Sequence, residues 1–202
     1  MYPVLFAIAN FDILASYLFL FLGILIGILV GYKEAQRVGI SNFDFHFYWI
    51  SAIPIALFLA AFNGFIFRIR LGGISARLEE ILSYGLVSFG AIFGMLLLGY
   101  FLTKIRKTNT GLFLDTVSLT LPLILAIYRI GCLLNGCCYG LETDSFLGII
   151  LPGHLGIWSN RYPTQIWLLL FNFALFIWLW SIRKKKSFDG VLTIYYLVLY
   201  SL

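Results

Sequence analysis

Long runs of uncharged, mostly apolar residues dominate the chain, and short polar segments separate them. Four runs cover residues 13–32, 47–67, 81–103 and 162–182. Each is close to the roughly 20 residues that an α-helix needs to cross the hydrocarbon core of a bilayer. The pattern therefore predicts four membrane-spanning helices.

Two further spans are less regular. A fifth predicted span, residues 109–131, contains Asp115 and Arg129 near its ends, where a charge can reach an interface or a polar cavity. A sixth begins near Gly190, but the sequence ends at Leu202, before a helix could cross a bilayer. We therefore expect an all-α, polytopic membrane bundle of about six helices, a single transmembrane domain over residues 1–202 that is incomplete at its C-terminus.

The charge distribution predicts which side of the membrane each loop occupies. The chain is 61% hydrophobic and 11% charged, with a formal net charge of +5. Most basic residues lie in short clusters between the apolar runs. This pattern is typical of residues that set the orientation of a membrane protein, and it disfavours a nucleic-acid partner. Three clusters fall on one side of the predicted spans, which we expect to be cytoplasmic with the N-terminus outside: Lys33 with Arg37, residues 104–107, and residues 183–186.

Candidate chemistry is concentrated in residues 128–140, just after the fifth predicted span. An arginine at membrane depth is costly unless an anion or a polar cavity meets it. The guanidinium of Arg129 suits a phosphate, and the amides of neighbouring glycines could approach the same anion. The alternatives are that Arg129 reaches the membrane surface or pairs with Asp115.

This segment resembles the signature of the prolipoprotein diacylglyceryl transferase family. The positions that match in register are Arg129, Gly131, Asn135, Gly136 and Gly140. Cys132 and Cys137 stand where the signature has Asn and Glu. Other segments are similar to family motifs in the same order along the chain: residues 1–6, 16–17, 86–94, 161–167 and 190–200.

The resemblance implies a seven-helix fold and a transferase of the bacterial inner membrane, with its active site facing the periplasm. Such an enzyme moves diacylglyceryl from phosphatidylglycerol, or another anionic phospholipid, to the lipobox cysteine of a prolipoprotein signal peptide. It implies no cofactor, no metal and no nucleic-acid partner. A divergent, non-catalytic relative that binds anionic lipid is the alternative. A transporter or channel is disfavoured, because the first three spans contain no charge.

The resemblance also suggests residue roles. Arg129 would hold the lipid phosphate and take part in catalysis. Asn135 would hydrogen-bond the headgroup, or else brace the loop, and Tyr17 would donate to the headgroup, or else belong to an interfacial aromatic belt. The remaining predicted substrate-binding positions are Gly131, Gly136, Gly140 and Gln165.

The chain departs from the family at the expected base. Phe89 stands at the position of the family's histidine and cannot accept a proton. His154, in a predicted outer loop, could replace it, although a loop histidine is more often solvated. The arginine expected in the sixth helix is not among these residues, so we expect a fragment.

The three cysteines, Cys132, Cys137 and Cys138, allow several interpretations. Small apolar packing is the simplest one. A Cys132–Cys137 disulfide is possible in an oxidising compartment. A metal site, with His154 as a fourth ligand, is disfavoured because the spacing matches no standard zinc pattern.

Overall fold

The computed structural model describes residues 4–8, 11–70, 88–152 and 158–201. Within these ranges the helices are α1 (Ala15–Val38), α2 (Asn42–Arg70), α3 (Ser88–Arg106), α4 (Thr110–Asn135), α5 (Thr164–Ile182) and α6 (Val191–Ser201). Two antiparallel hairpins accompany them, β1 (Val4–Ile8) with β2 (Phe11–Leu14) and β3 (Ile149–Pro152) with β4 (Trp158–Arg161).

The predicted helical class is confirmed. Each predicted span coincides with a helix, and α1 continues past its uncharged run through Lys33 and Arg37 because charged residues can extend a helix beyond the hydrocarbon. Among the described residues, α1, α4 and α5 are long and apolar enough to cross a membrane. Residues 81–87 of the predicted third span lie outside the described residues.

The hairpins were not predicted. Their strands are only four or five residues long, too short to display a clear alternation of apolar and polar positions. In the second hairpin, Ile149 pairs with Arg161 and Pro152 with Trp158. This hairpin leads from the loop after α4 into α5.

Residue contacts divide the chain into two compact units. The first comprises Met1–Val30 and Leu119–Lys185, and the second comprises Gly31–Ser118 and Lys186–Leu202. Both α1 and α4 contribute residues to each unit. The single domain over residues 1–202 stays a prediction.

In the first unit, glycines bring the backbones of α1 and α4 close together. A Cβ atom added at Gly23 would lie 2.9 Å from the carbonyl oxygen of Ile124, and one at Gly131 would lie 2.8 Å from Cα of Ser16. Backbone atoms cannot move aside as a side chain can. Small residues are therefore required at this helix contact, as is common where helices associate in membranes.

In the second unit, α2 packs against α3 through both apolar and polar contacts. The buried Tyr48 donates its hydroxyl hydrogen to the carbonyl oxygen of Met95 at 2.9 Å. At the ends of these helices, Arg106 Nε donates to Asp44 Oδ1 at 2.7 Å. The buried carboxylate of Asp44 is thereby neutralised.

In the second unit, both carboxylate oxygens of Asp115 accept hydrogen bonds from other residues. Asp115 is buried in α4, and its Oδ2 accepts hydrogen bonds from Lys186 Nζ and from the Gly190 amide, both at 2.9 Å. Its Oδ1 accepts from the Thr193 amide at 3.0 Å and from the Thr193 hydroxyl at 3.1 Å. Asp115 thus caps the N-terminus of α6 from a neighbouring helix and has partners other than Arg129.

We expect Asp115→Ala to lower the free energy of unfolding by about 3 kcal/mol, because Lys186 and the amides at the start of α6 would lose their buried acceptor. Thermal unfolding of the full-length protein in detergent measures this. Asp144→Ala is the matched control, since Asp144 is exposed. Equal melting temperatures for the two variants would contradict the assigned role.

Candidate active site

The end of α4 is a sharp turn that fixes the start of the cysteine-containing loop. The Cys137 amide donates to the Cys132 carbonyl at 3.1 Å, and the Gly136 amide donates to the Leu133 carbonyl at 3.2 Å. This pair of bonds is a Schellman motif, whose turning residue needs a positive φ, and Gly136 has a φ of 67°. The glycine therefore folds Cys137 back toward the last turn of the helix.

The beginning of α5 clamps the same loop. Gln165, which is fully buried, donates from Nε2 to the Cys137 carbonyl at 2.7 Å. Thr164 donates from its hydroxyl to the Cys138 carbonyl at 2.6 Å. Sequence reasoning missed Thr164, although a polar residue directly after Pro163 marks a helix start and could have suggested the contact. Two consecutive carbonyls of the loop are thus held by two consecutive side chains.

The glycines shape this loop from within. The Gly140 amide donates to the Tyr162 carbonyl at 2.9 Å, and a Cβ atom there would lie 2.9 Å from Cβ of Tyr162. The amides of Gly136 and Gly140 are therefore bonded inside the protein, and Gly131 packs against α1. The structure gives these three residues a role in shape, while substrate contact by them stays a prediction.

Arg129 lies near the C-terminal end of α4 in the first unit. Its Nε is buried and has no hydrogen-bond partner among the described residues. The guanidinium carbon is 6.0 Å from the centre of the Tyr128 ring. The half-buried guanidinium also acts on the Cys138 thiol, and its Nε, unpaired in the part of the chain that the structure describes, leaves a donor for an anionic ligand.

Two buried amide oxygens accompany this arginine. Asn135 Oδ1 and Gln165 Oε1 also lack hydrogen-bond partners among the described residues. Both residues contact Cys137, since Asn135 Nδ2 lies 3.8 Å from its Sγ and Gln165 binds its carbonyl. The end of α4 and the start of α5 thus place a cationic donor and two neutral acceptors next to the cysteine loop, a set that suits a ligand with a phosphate and hydroxyl groups.

The remaining positions singled out in the sequence are Tyr17, His154 and Phe89. Tyr17 is about half exposed on α1, next to Ser16, whose backbone meets Gly131. His154 lies outside the described residues. Phe89 falls in the first turn of α3. The structure therefore brings five of the predicted residues together around the cysteine loop: Gly131, Asn135, Gly136, Gly140 and Gln165. The positive charge of Arg129 acts on Cys138 in the same loop.

The three cysteines form a compact thiol cluster, which sequence spacing did not predict. Their Sγ atoms all lie within 4.8 Å of one another, with 3.8 Å between Cys137 and Cys138. All three are free thiols, so the Cys132–Cys137 disulfide is not formed. Hydrogen bonds from Cys132 and Cys137, together with the positive charge of Arg129, lower the pKa of the Cys138 thiol below its ordinary value.

We expect Cys138 to react with iodoacetamide at a nearly constant rate between about pH 6 and pH 8, because a thiol with a lowered pKa is already ionised there. An ordinary thiol gains about tenfold per pH unit over this range. Alkylation of the protein kept in a chelator, localised by tandem mass spectrometry, measures it. Arg129→Gln removes one source of the shift and should slow the reaction at the lower pH. A tenfold rise per unit in the unsubstituted protein would contradict the assignment.

Comparison with known proteins gives consistent matches. A family model described as prolipoprotein diacylglyceryl transferase matches residues 3–202. A phosphatidylglycerol–prolipoprotein diacylglyceryl transferase from Clostridioides difficile is 32% identical over 202 residues, which cover 98% of this chain and 79% of that protein.

Proteins with the same name from two other organisms also match. The one from Campylobacter lari is 31% identical over 182 residues, or 90% of this chain and 58% of that protein. The one from Clostridium tetani is 28% identical over 203 residues, or 98% of this chain and 81% of that protein.

Proposed function

Because this chain belongs to the prolipoprotein diacylglyceryl transferase family, we propose that it moves a diacylglyceryl group from phosphatidylglycerol to the cysteine thiol of a prolipoprotein. The family is one of transferases, and the chain is a membrane protein with a helical fold. The lipid donor and the protein acceptor are taken from the names of its relatives. The observation that carries the proposal is the position of Arg129 beside the cysteine loop, with a buried Nε that has no hydrogen-bond partner among the described residues.

The proposed reaction has three physical requirements. A thiolate must form, it must reach a glyceryl carbon, and the glycerol phosphate that leaves must be stabilised as an anion. The breaking bond joins that carbon to a phosphate oxygen, so negative charge grows on the phosphate. A fixed cation at the phosphate therefore lowers the barrier.

Arg129 meets the last requirement. Its guanidinium forms a planar fork that binds two phosphate oxygens at once, which a lysine ammonium cannot do. Arg129 lies on a helix whose end is fixed by the Schellman turn. Orienting its side chain toward a ligand therefore costs little conformational entropy. We assign Arg129 to the phosphate of phosphatidylglycerol or another anionic phospholipid.

Asn135 suits the hydroxyl groups of the same headgroup. Its Oδ1 is a buried acceptor, and glycerol hydroxyls are donors. Tyr17, about half exposed, is assigned to the headgroup from the membrane-facing side. Gln165 is assigned first to positioning, because its Nε2 is used on the Cys137 carbonyl, and only its Oε1 can reach a ligand.

The proposed reaction also needs a base that takes the proton of the acceptor thiol. The resemblance aligns Phe89 with the family's histidine, and a phenylalanine cannot take up a proton. His154 is the remaining histidine on the predicted outer side, and we retain it as a catalytic candidate. The substitution at Phe89 also favours the alternative function, binding of anionic lipid without transfer.

The membrane arrangement is proposed from charge. The basic clusters at residues 104–107 and 183–186 favour the cytoplasmic side for the loops that contain them. The end of α4 with Arg129 and the cysteine loop would then face the opposite side. We propose a multi-pass protein of the bacterial inner membrane whose site faces the periplasm and a prolipoprotein signal peptide.

We expect Arg129→Gln to reduce lipid attachment about 100-fold or more, because the leaving phosphate loses its cation. Arg129→Lys should retain part of the activity, since it keeps the charge without the fork. The measurement is complementation: the full-length gene is expressed in cells depleted of their own diacylglyceryl transferase, and lipid on a reporter prolipoprotein is quantified.

Lys184→Gln is the matched control, because it removes one positive charge outside the proposed site and should leave attachment unchanged. Each variant must be present in the membrane at equal amounts. No attachment by the unsubstituted protein would leave only the lipid-binding alternative. Full attachment by Arg129→Gln would overturn the role of Arg129.

A further inference from the structure

The loop next to Arg129 holds three sulfur atoms that the proposed function does not use. Cys132 lies in the last turn of α4 and is fully buried, Cys137 is half-buried, and Cys138 is exposed. Their Sγ atoms lie within 4.8 Å of one another, although the spacing along the chain matches no zinc motif. The Schellman turn produces this proximity, because it folds two residues beyond the helix back onto its last turn.

The sulfur geometry fits coordination of a metal ion. A tetrahedral zinc site with Zn–S bonds of about 2.3 Å places its sulfurs about 3.8 Å apart. The Cys137 and Cys138 sulfurs are already 3.8 Å apart, and the widest pair in the cluster needs to close by no more than about 1 Å. A disulfide would instead require a separation near 2 Å.

The loop that carries two of these ligands is held in place from outside. Gln165 binds the carbonyl of Cys137 at 2.7 Å, and Thr164 binds the carbonyl of Cys138 at 2.6 Å. Neither contact uses a sulfur atom, so both persist when the sulfurs bind an ion. Ligands supported in this way have the fixed orientation that metal sites obtain from their surrounding hydrogen bonds.

The number of protein ligands distinguishes a closed structural metal site from one with an open coordination position. No fourth His, Cys, Asp or Glu joins the cluster among the described residues. Zinc sites with three protein ligands keep one position open for water or substrate, whereas structural sites are closed by four. Three thiolates and a divalent ion carry one net negative charge, which the single positive charge of Arg129 offsets.

We propose that Cys132, Cys137 and Cys138 bind a divalent thiophilic ion of the zinc class, whose open position takes the acceptor thiol. This inference rests on the proposed transferase function for the acceptor. The thiol binds the ion as a thiolate and releases its proton to water, since a metal-bound thiol is deprotonated. The thiolate then forms the C–S bond, the glyceryl C–O bond breaks, and glycerol phosphate leaves with the electron pair beside Arg129.

The bound ion would ionise the acceptor thiol, which Phe89 cannot do. A base is required only to ionise the acceptor thiol, and coordination to the ion ionises it without one. The cluster also opens on the side of Cys138, the exposed member, where an acceptor can approach.

The test begins with binding, which is independent of activity. Full-length protein is purified in detergent under reducing conditions, stripped with a chelator and dialysed against Zn²⁺ or Co²⁺. We expect one ion per chain, with sulfur-to-cobalt charge-transfer absorption. Cys138→Ser, an exposed position that leaves the helix intact, should lower the affinity at least tenfold, and Asp144→Asn, an acidic residue of the same loop, should leave it unchanged.

A second step tests the open position. A thiol-containing lipobox peptide added to the Co²⁺ form should change the charge-transfer spectrum, and its serine analogue should not. No bound ion, equal binding by Cys138→Ser, or a disulfide among the three cysteines would overturn the site. Binding without a response to the peptide would overturn the open position.

The complementation assay separates this inference from the proposed function. Transfer by unsubstituted protein that binds no ion leaves the function standing and overturns the site. Ion binding with a peptide response but without transfer supports the site and overturns the function. If both hold, chelation should abolish transfer in purified protein and Zn²⁺ should restore it, with no such dependence in a relative that has the histidine.

Discussion

In a chain this apolar, each buried polar group needs a hydrogen-bonding partner. Near one end of α4 the protein itself provides the partners, and near the other end one donor is left without a partner among the described residues. Asp115 receives four hydrogen bonds from Lys186, Gly190 and Thr193, so its charge is used entirely within the protein. Arg129 has a buried Nε without a protein acceptor among the described residues. The contacts of Asp115 stabilise the fold, whereas we propose that Arg129 meets a ligand.

The shape of the loop after α4 follows from a few local bonds. Gly136 turns the chain, the amides of the turn bind the last carbonyls of the helix, and Gln165 and Thr164 hold the carbonyls of the next two residues. Because the amides of Gly136, Cys137 and Gly140 are bonded inside the protein, we expect side chains to recognise a ligand here. The same bonds bring Cys137 back to the last turn of α4, so the proposed lipid site and the thiol cluster depend on the same turn.

The helices and their approximate bounds were predictable, because runs of about 20 apolar residues have few alternatives to spanning helices. The cost of an arginine at this depth and the family resemblance both pointed to residues 128–140, and the functional role of these residues stays a prediction. The thiol cluster was not predictable, since it depends on a turn at Gly136 that no spacing rule describes. The internal hydrogen bonds of the Gly136 and Gly140 amides were not predictable either, because they depend on tertiary contacts such as the one to Tyr162.

The central claim is that Arg129 holds the phosphate of an anionic lipid. Native mass spectrometry of the full-length protein in detergent, titrated with phosphatidylglycerol and with phosphatidylcholine, tests it most directly. The account predicts preferential retention of phosphatidylglycerol and a loss of that preference in Arg129→Gln. An undiminished preference in that variant would contradict it.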